Sequence, residues 1–205
     1  MTVTSITNAR VDRVPVRHNA TARDLAGAEQ AAVAMLTALG VDLKREGMAE
    51  TPGRMVRALA EMCTPRDFDL TTFPNEAGYD QLVIERRIRF QSLCEHHLLP
   101  FTGFAYVAYL PGTRILGLSK LARVVELFAC QPQVQEQLTQ QIADWLRDQL
   151  KPKGVGVVLD AEHMCMTLRG ARAEGSTTVT SALHGLLLDD LRAREEFFLL
   201  AKVGI

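Results

Sequence analysis

Two pairs of runs with period-two hydrophobicity, separated by two amphipathic helical patterns, limit what this chain can fold into more than any other feature. Leu82, Ile84, Ile88 and Phe90 alternate with Val83, Glu85, Arg87 and Arg89, which reads as a strand with one buried face. A second strand fits Phe101 to Leu110. The run GVGVVLDAEHMCMTL (154–168) reads as a long strand, and STTVTSAL (176–183) as its antiparallel neighbour. Between the pairs, Ser119 caps a helix through about Ala129. Pro132 starts another, with Val134, Leu138, Ile142, Trp145, Leu146 and Leu150 on one stripe. Two hairpins flanking a helix pair predict an α+β domain, with helices packed on one face of an antiparallel sheet.

Two helices precede this core. Leu25, Ala28, Ala32, Met35, Leu36 and Leu39 recur at helical spacing, and Gly40 is placed to end that helix. Thr51-Pro52 reads as an N-cap with proline at the first helical position, opening a helix to about Cys63. A turn-rich stretch follows to about Gly78. Residues 1–22 lack periodicity and are expected to form a flexible arm. The rest, 23–205, is expected to be one domain: helices over about 23–64, a core over about 79–184 and a C-terminal helix over about 189–202.

Charge excludes some partners. Lys plus Arg is 23 against 24 Asp plus Glu, a net charge of −1. No broad basic field is available for nucleic acid or an anionic membrane, although a small basic pocket remains possible. The most apolar stretch, Leu98 to Thr113, is broken by Pro100, Gly103, Pro111 and Gly112, short of the ~18 apolar residues of a membrane helix. The first residues contain no apolar run resembling a signal peptide. Four scattered cysteines, Cys63, Cys94, Cys130 and Cys165, then read as reduced thiols or metal ligands in a cytoplasmic protein.

The densest chemistry is Cys94-Glu95-His96-His97. Cys94 and His97 form a C-x2-H pair, a spacing at which two ligands from one turn reach one metal. His163-Met164-Cys165 offers a third ligand, and on a strand His163 and Cys165 would share the face of Val155, Val157 and Leu159. Two thiolates and an imidazole suit zinc, and three protein ligands with one open position suit a zinc that activates water. Ordinary buried thiols with core or surface histidines are the alternative. The segment 170–177 imitates P-loop glycine spacing, but Ser176 stands where the lysine belongs, and a strand pattern follows.

Arg54 and Arg57 sit one helical turn apart, as do Lys120 and Arg123, and Arg169 follows Cys165. Any one pair could simply be a solvated helix face. Glu136, beside Gln135, could likewise be an exposed helix carboxylate.

Taken together, CEHHLLPF, GLSKLARVVELFA, PQVQEQLTQQIA, AEHMCM-x-x-RG, TVTS and, near residue 51, TPGRM resemble the GTP cyclohydrolase I family, in that order and at that family's intervals. The resemblance covers roughly residues 24–200. It implies a tunnelling fold (T-fold): an antiparallel four-stranded sheet with two helices on one face, preceded by N-terminal helices. It implies a homodecamer of two stacked pentamers with active sites at subunit interfaces. The implied reaction takes GTP and water to formate and 7,8-dihydroneopterin triphosphate, the entry to pterin and tetrahydrofolate synthesis.

Carried onto this chain, the resemblance gives Cys94, His97 and Cys165 to one zinc per subunit, which would ready a water for attack at C8 of the purine. It gives proton transfer to His96 and His163. Glu136, helped by Gln135, would bind the guanine N1–H and 2-amino group, and Ser119 would lie by the ribose. Arg54, Arg57, Lys120, Arg123 and Arg169 would surround the triphosphate. Phe104 stands where many members carry lysine, Gln131 and Gln137 replace common arginines, and Leu93 replaces a common threonine. These departures bear on phosphate affinity and subunit contacts. The same GTP chemistry could serve a deazapurine or specialised pterin pathway. A non-catalytic T-fold binding module with structural zinc is the rival from another class, and a fourth protein ligand would favour it.

Overall fold

The structure, a computed structural model, describes residues 11–17 and 22–202; the expectations for 1–10, 18–21 and 203–205 fall outside them. The chain divides into two compact units, residues 18–64 and the remainder.

The 18–64 unit holds α1 (Leu25–Ala38) and α2 (Thr51–Met62). Asp24 caps α1 by accepting from the Gly27 N–H, and Gly40 follows the helix at φ +78°, a conformation glycine adopts without a Cβ penalty. The α1 stripe forms as expected, but of its residues only Ala32 is buried. Thr51 begins α2 rather than capping it, and its hydroxyl points to the Met48 sulfur. Arg23 ties the unit together by donating to the carbonyls of Ala60 and Cys63.

The larger unit contains two sheets. Strands β1 (Asp12–Val16), β2 (Phe68–Pro74) and β5 (Arg114–Leu116) form a three-stranded antiparallel sheet in the order β1-β2-β5. This corrects two expectations: residues 12–16 belong to a strand rather than a flexible arm, and the turn-rich stretch contains β2. The main sheet orders β6 (Pro132–Gln133), β3 (Val83–Cys94), β4 (Pro100–Leu110), β7 (Gly154–His163) and β8 (Thr178–Gly185) as β6-β3-β4-β7-β8. Its four long strands are antiparallel, as expected of the tunnelling fold; the short β6 pairs parallel with the end of β3.

Helices α3 (Ser119–Ala129) and α4 (Gln135–Leu150) pack on one face of that sheet. Val124, Val125, Leu138, Ile142 and Leu146 meet Phe90, Phe101, Val107, Val157 and Leu159 there. The C-terminal helix is two pieces, α6 (Leu186–Asp189) and α7 (Leu191–Ala201). Leu187, Phe197 and Ala201 pack on the opposite face against Tyr106, Ala108 and Val158.

The alternation in β3 conceals a bulge. Val83 pairs with Tyr109 but Ile88 pairs with Ala105, so one extra residue enters between Glu85 and Ile88, where Arg87 takes φ +58°. Leu82 and Ile84 therefore face the C-terminal helix, whereas Ile88 and Phe90 face α3 and α4. The even-numbered residues do not share one face, because a one-residue insertion exchanges the two faces of everything beyond it.

Candidate metal and nucleotide site

The turn between β3 and β4 presents the first cluster. Cys94 ends β3; its N–H donates to the Leu99 carbonyl at 2.9 Å, and its carbonyl accepts from the Leu98 N–H at 2.8 Å. Leu98 closes this turn at φ +53°. His96 and His97 are thereby carried at an exposed tip, while Cys94 stays buried.

The third ligand arrives from β7. Its strand ends at His163, and Met164–Thr167 turn into a single helical turn, α5. The expected continuous strand to residue 168 is thus wrong, and Cys165 reaches the site from a helical turn. Ligand atoms of Cys94, His97 and Cys165 all lie within 4.8 Å of one another. Ligands held tetrahedrally at zinc's ~2.0–2.3 Å bond lengths lie about 3.5–3.8 Å apart, so the set would close around zinc with an adjustment of about 1 Å. The Cys94 Sγ to His97 Nδ1 distance is already 3.9 Å. His96 Nδ1 lies 3.7 Å from the same sulfur but is not part of the three-way group. The donor set is soft and borderline, as zinc prefers, and only three protein ligands converge among the described residues.

Burial pushes the Cys165 thiol above its ordinary pKa, the neighbouring Cys94 sulfur pushes it further, and Arg169 opposes them weakly. A zinc held by these residues would reverse this balance, since a dication deprotonates the thiols that ligate it. Arg169 Nη1 lies 3.3 Å from His97 Nε2. An arginine can only donate, so that contact requires an unprotonated Nε2. Coordination through Nδ1 would put the proton on Nε2, and coordination through Nε2 would occupy its lone pair. Either way, a metal held by His97 would leave Nε2 unable to accept from Arg169.

His163 stacks on Phe101, with ring centroids 4.6 Å apart and planes 2° from parallel, and its Nε2 lies 2.7 Å from Gln135 Oε1. Burial lowers its pKa, while the Glu136 charge raises it. Glu136 itself is exposed in the first turn of α4. Gln135 is buried at 1% exposure, its amide spent inside the protein. This helix begins at Gln135, not Pro132, because Pro132 and Gln133 are drawn into β6 beside Leu93 and Cys94.

Ser119 opens α3 but makes no capping bond, leaving its exposed side chain available. Lys120 makes no ion pair among the described residues. Arg123 contacts Glu126 at 3.3 Å, sharing that carboxylate with Arg66. Arg54 and Arg57 belong to the 18–64 unit, where Arg54 pairs with Glu50 at 3.0 Å. Sequence reasoning assigned no role to Phe101, Thr139 or Thr180, which surround His163 and Gln135. Their only hint was their place in the segments that carry the resemblance: Phe101 in CEHHLLPF, Thr139 in PQVQEQLTQQIA and Thr180 in TVTS.

The sequence profile of GTP cyclohydrolase I matches residues 28–202. The chain belongs to the GTP cyclohydrolase I family. GTP cyclohydrolase 1 of Aquifex aeolicus (strain VF5) is 51% identical over 174 residues, covering 85% of this chain and 95% of that protein. The enzyme of the same name from Hydrogenobaculum sp. (strain Y04AAS1) is 49% identical, covering 82% and 92%. That of Thermobifida fusca (strain YX) is 48% identical, covering 82% and 84%. Among solved structures, the apo archaeosine synthase QueF-Like matches at TM-score 0.41 and 18% identity, covering 51% of this chain and 93% of that one.

Proposed function

We infer that this chain carries out the reaction of the GTP cyclohydrolase I family, opening the imidazole ring of GTP with water and closing the product to 7,8-dihydroneopterin triphosphate with release of formate. This is the first step of pterin and tetrahydrofolate synthesis. The observation that carries the reading is the convergence of Cys94, His97 and Cys165 from two separate hairpins. Those three residues would hold one zinc per chain. Bound there, zinc supplies a Lewis acid that brings the pKa of water toward neutrality.

The remaining work falls to side chains. His163 and the exposed His96 exchange protons with the purine ring and the formyl group as bonds to C8 break. Glu136 presents two acceptor oxygens to the N1–H and 2-amino group of guanine; it is exposed and makes no ion pair among the described residues. Ser119 meets the ribose. Lys120, Arg123 and Arg169 receive the triphosphate; among the described residues the Arg169 side chain contacts His97 alone. For Arg54 and Arg57, phosphate contact rests on the family resemblance alone.

The assembly is a homodecamer of two stacked pentamers, with sites completed between subunits. Its support is the apolar surface a single chain leaves open: Leu39, Leu191 and Leu199 are each more than 60% exposed. The outer edges of β8 and of most of β3 also lack a strand partner among the described residues. No helix among the described residues is long and apolar enough to cross a membrane. Cys63, Cys94, Cys130 and Cys165 form no disulfide among the described residues, which supports a reducing, cytoplasmic setting.

The test is to incubate purified protein with GTP and detect formate and a pterin chromophore, then to compare GTP with ITP, which keeps N1–H but lacks the 2-amino group. Glu136→Gln should weaken use of GTP and narrow the preference for GTP over ITP. Sites that hydrogen-bond a substrate group reject analogues lacking it by up to ~10⁴-fold. An unchanged rate and preference in the variant would remove Glu136 from base recognition.

A further inference from the structure

Gln135 is nearly inaccessible, at 1% exposure, yet every polar atom of its side chain has a partner. Its Nε2 lies 3.2 Å from the Leu159 carbonyl, 2.8 Å from the Thr178 carbonyl and 3.1 Å from Thr180 Oγ1. Carbonyl oxygens only accept, so the amide cannot be turned over: nitrogen faces β7 and β8, and Oε1 faces His163. Oε1 also only accepts, so His163 Nε2, 2.7 Å away, must carry a hydrogen.

Two threonines complete the chain of donors. Thr139 Oγ1 donates to the Gln135 backbone carbonyl at 2.7 Å, and Thr180 Oγ1 lies 2.6 Å from Thr139 Oγ1. Thr139 has spent its only hydrogen, so Thr180 donates to Thr139 and accepts from Gln135. Each proton then runs in one direction, from His163 through Gln135, Thr180 and Thr139 to a backbone carbonyl. No member can reverse without breaking a buried bond and leaving a buried polar group unpaired.

We propose that Gln135 is a positioning residue that holds neutral His163 as the Nε2–H tautomer, leaving Nδ1 as its only basic nitrogen, and that Gln135 does not read the guanine base. Among the described residues nothing bonds His163 Nδ1, and stacking on Phe101 holds the ring plane. The catalytic consequence, proton exchange with substrate through Nδ1, rests on the reading of GTP ring opening above. The tautomer itself does not.

The decisive measurement is magic-angle-spinning ¹⁵N spectroscopy of ¹⁵N-histidine-labelled, zinc-loaded protein above the imidazole titration range. His163 is one of 5 histidines and is assigned by its loss in His163→Asn. A protonated Nε2 and unprotonated Nδ1 are expected; the opposite pattern, or a mixture, overturns the proposal without any variant of Gln135. Gln135→Met, similar in length but without the acceptor, should lose the tautomer preference. It should lower kcat by ~10²-fold or more, the scale of a misplaced acid–base group, while leaving KM for GTP unchanged. A raised KM with intact kcat would instead make Gln135 a base contact. Thr180→Val loosens the clamp but spares Oε1, so it should lower the melting temperature and keep the tautomer; loss of the tautomer there would reduce Gln135 to a structural part. Absence of pterin product from wild-type protein would sink the reaction reading and leave the tautomer result standing.

Discussion

Gly103→Ala should be among the most damaging conservative changes in this chain. Gly103 sits in β4 between Phe90 of β3 and Ala161 of β7. A Cβ built there would lie 2.0 Å from the Asp160 carbonyl oxygen, 2.6 Å from Ala161 Cα and 2.8 Å from Ala161 Cβ. The first two are backbone atoms, so no side-chain rotation relieves them and the strands must part. Overpacking a core costs about 1–3 kcal/mol, and contact with backbone argues for the upper end. At about 2–4 °C per kcal/mol for a chain of this size, ~3 kcal/mol lowers the melting temperature by roughly 6–12 °C. The parting also reaches function, because two residues along the same ladder Phe101 faces His163 and stacks on it. Calorimetry at fixed protein concentration, alongside turnover of GTP, measures both effects. Adding Ala161→Gly removes the 2.8 Å contact but not the 2.0 Å one, so the double variant should recover only part of the loss. A single variant melting within about 1 °C of wild type would show that the strands yield at little cost, against the ~1 kcal/mol minimum for overpacking.

Three further outcomes are expected. Cys165→Ser should lose most bound zinc and nearly all turnover while keeping its secondary structure, whereas His96→Ala should keep zinc and lose turnover by ~10²–10⁴-fold. Metal analysis separates them, and equal zinc loss in His96→Ala and His97→Ala would mean that the two neighbouring histidines have been given the wrong roles. Glu126 is held below the usual carboxylate pKa first by its hydrogen bond to Arg66, against burial, with Arg123 adding to the effect. A depressed native pKa gives stability present above the unfolded value and lost as pH falls through the folded one. Glu126→Gln should therefore be less stable than wild type at neutral pH, and the gap should close in acid below the carboxylate range. A gap that persists in denaturant titrations at low pH would assign the effect to packing rather than charge.

Much of the architecture follows from local chain properties. Helical spacing and period-two alternation are set by successive residues along one backbone, so α1 to α4 and the four long strands could be read without knowing what they pack against. The C-x2-H pair was legible for the same reason: one short turn holds both ligands. Other features belong to pairing between distant segments. β1 exists because Asp12–Val16 lies along β2, and β6 because Pro132 and Gln133 lie along the end of β3. The bulge at Arg87 leaves the sequence alternation intact while exchanging the buried faces, and only the ladder to β4 shows it. Cys165 was expected from a strand and arrives from a helical turn, yet the three ligand atoms still converge within 4.8 Å because Cys165 follows directly on the end of β7. Gln135 shows the division most sharply. Beside Glu136 it looks like a second polar helix residue, and only the carbonyls of Leu159 and Thr178 turn its amide inward toward His163. Periodicity belongs to one segment and can be read from it. The direction of a buried hydrogen bond belongs to several, because it depends on which donors and acceptors the fold brings within 3 Å.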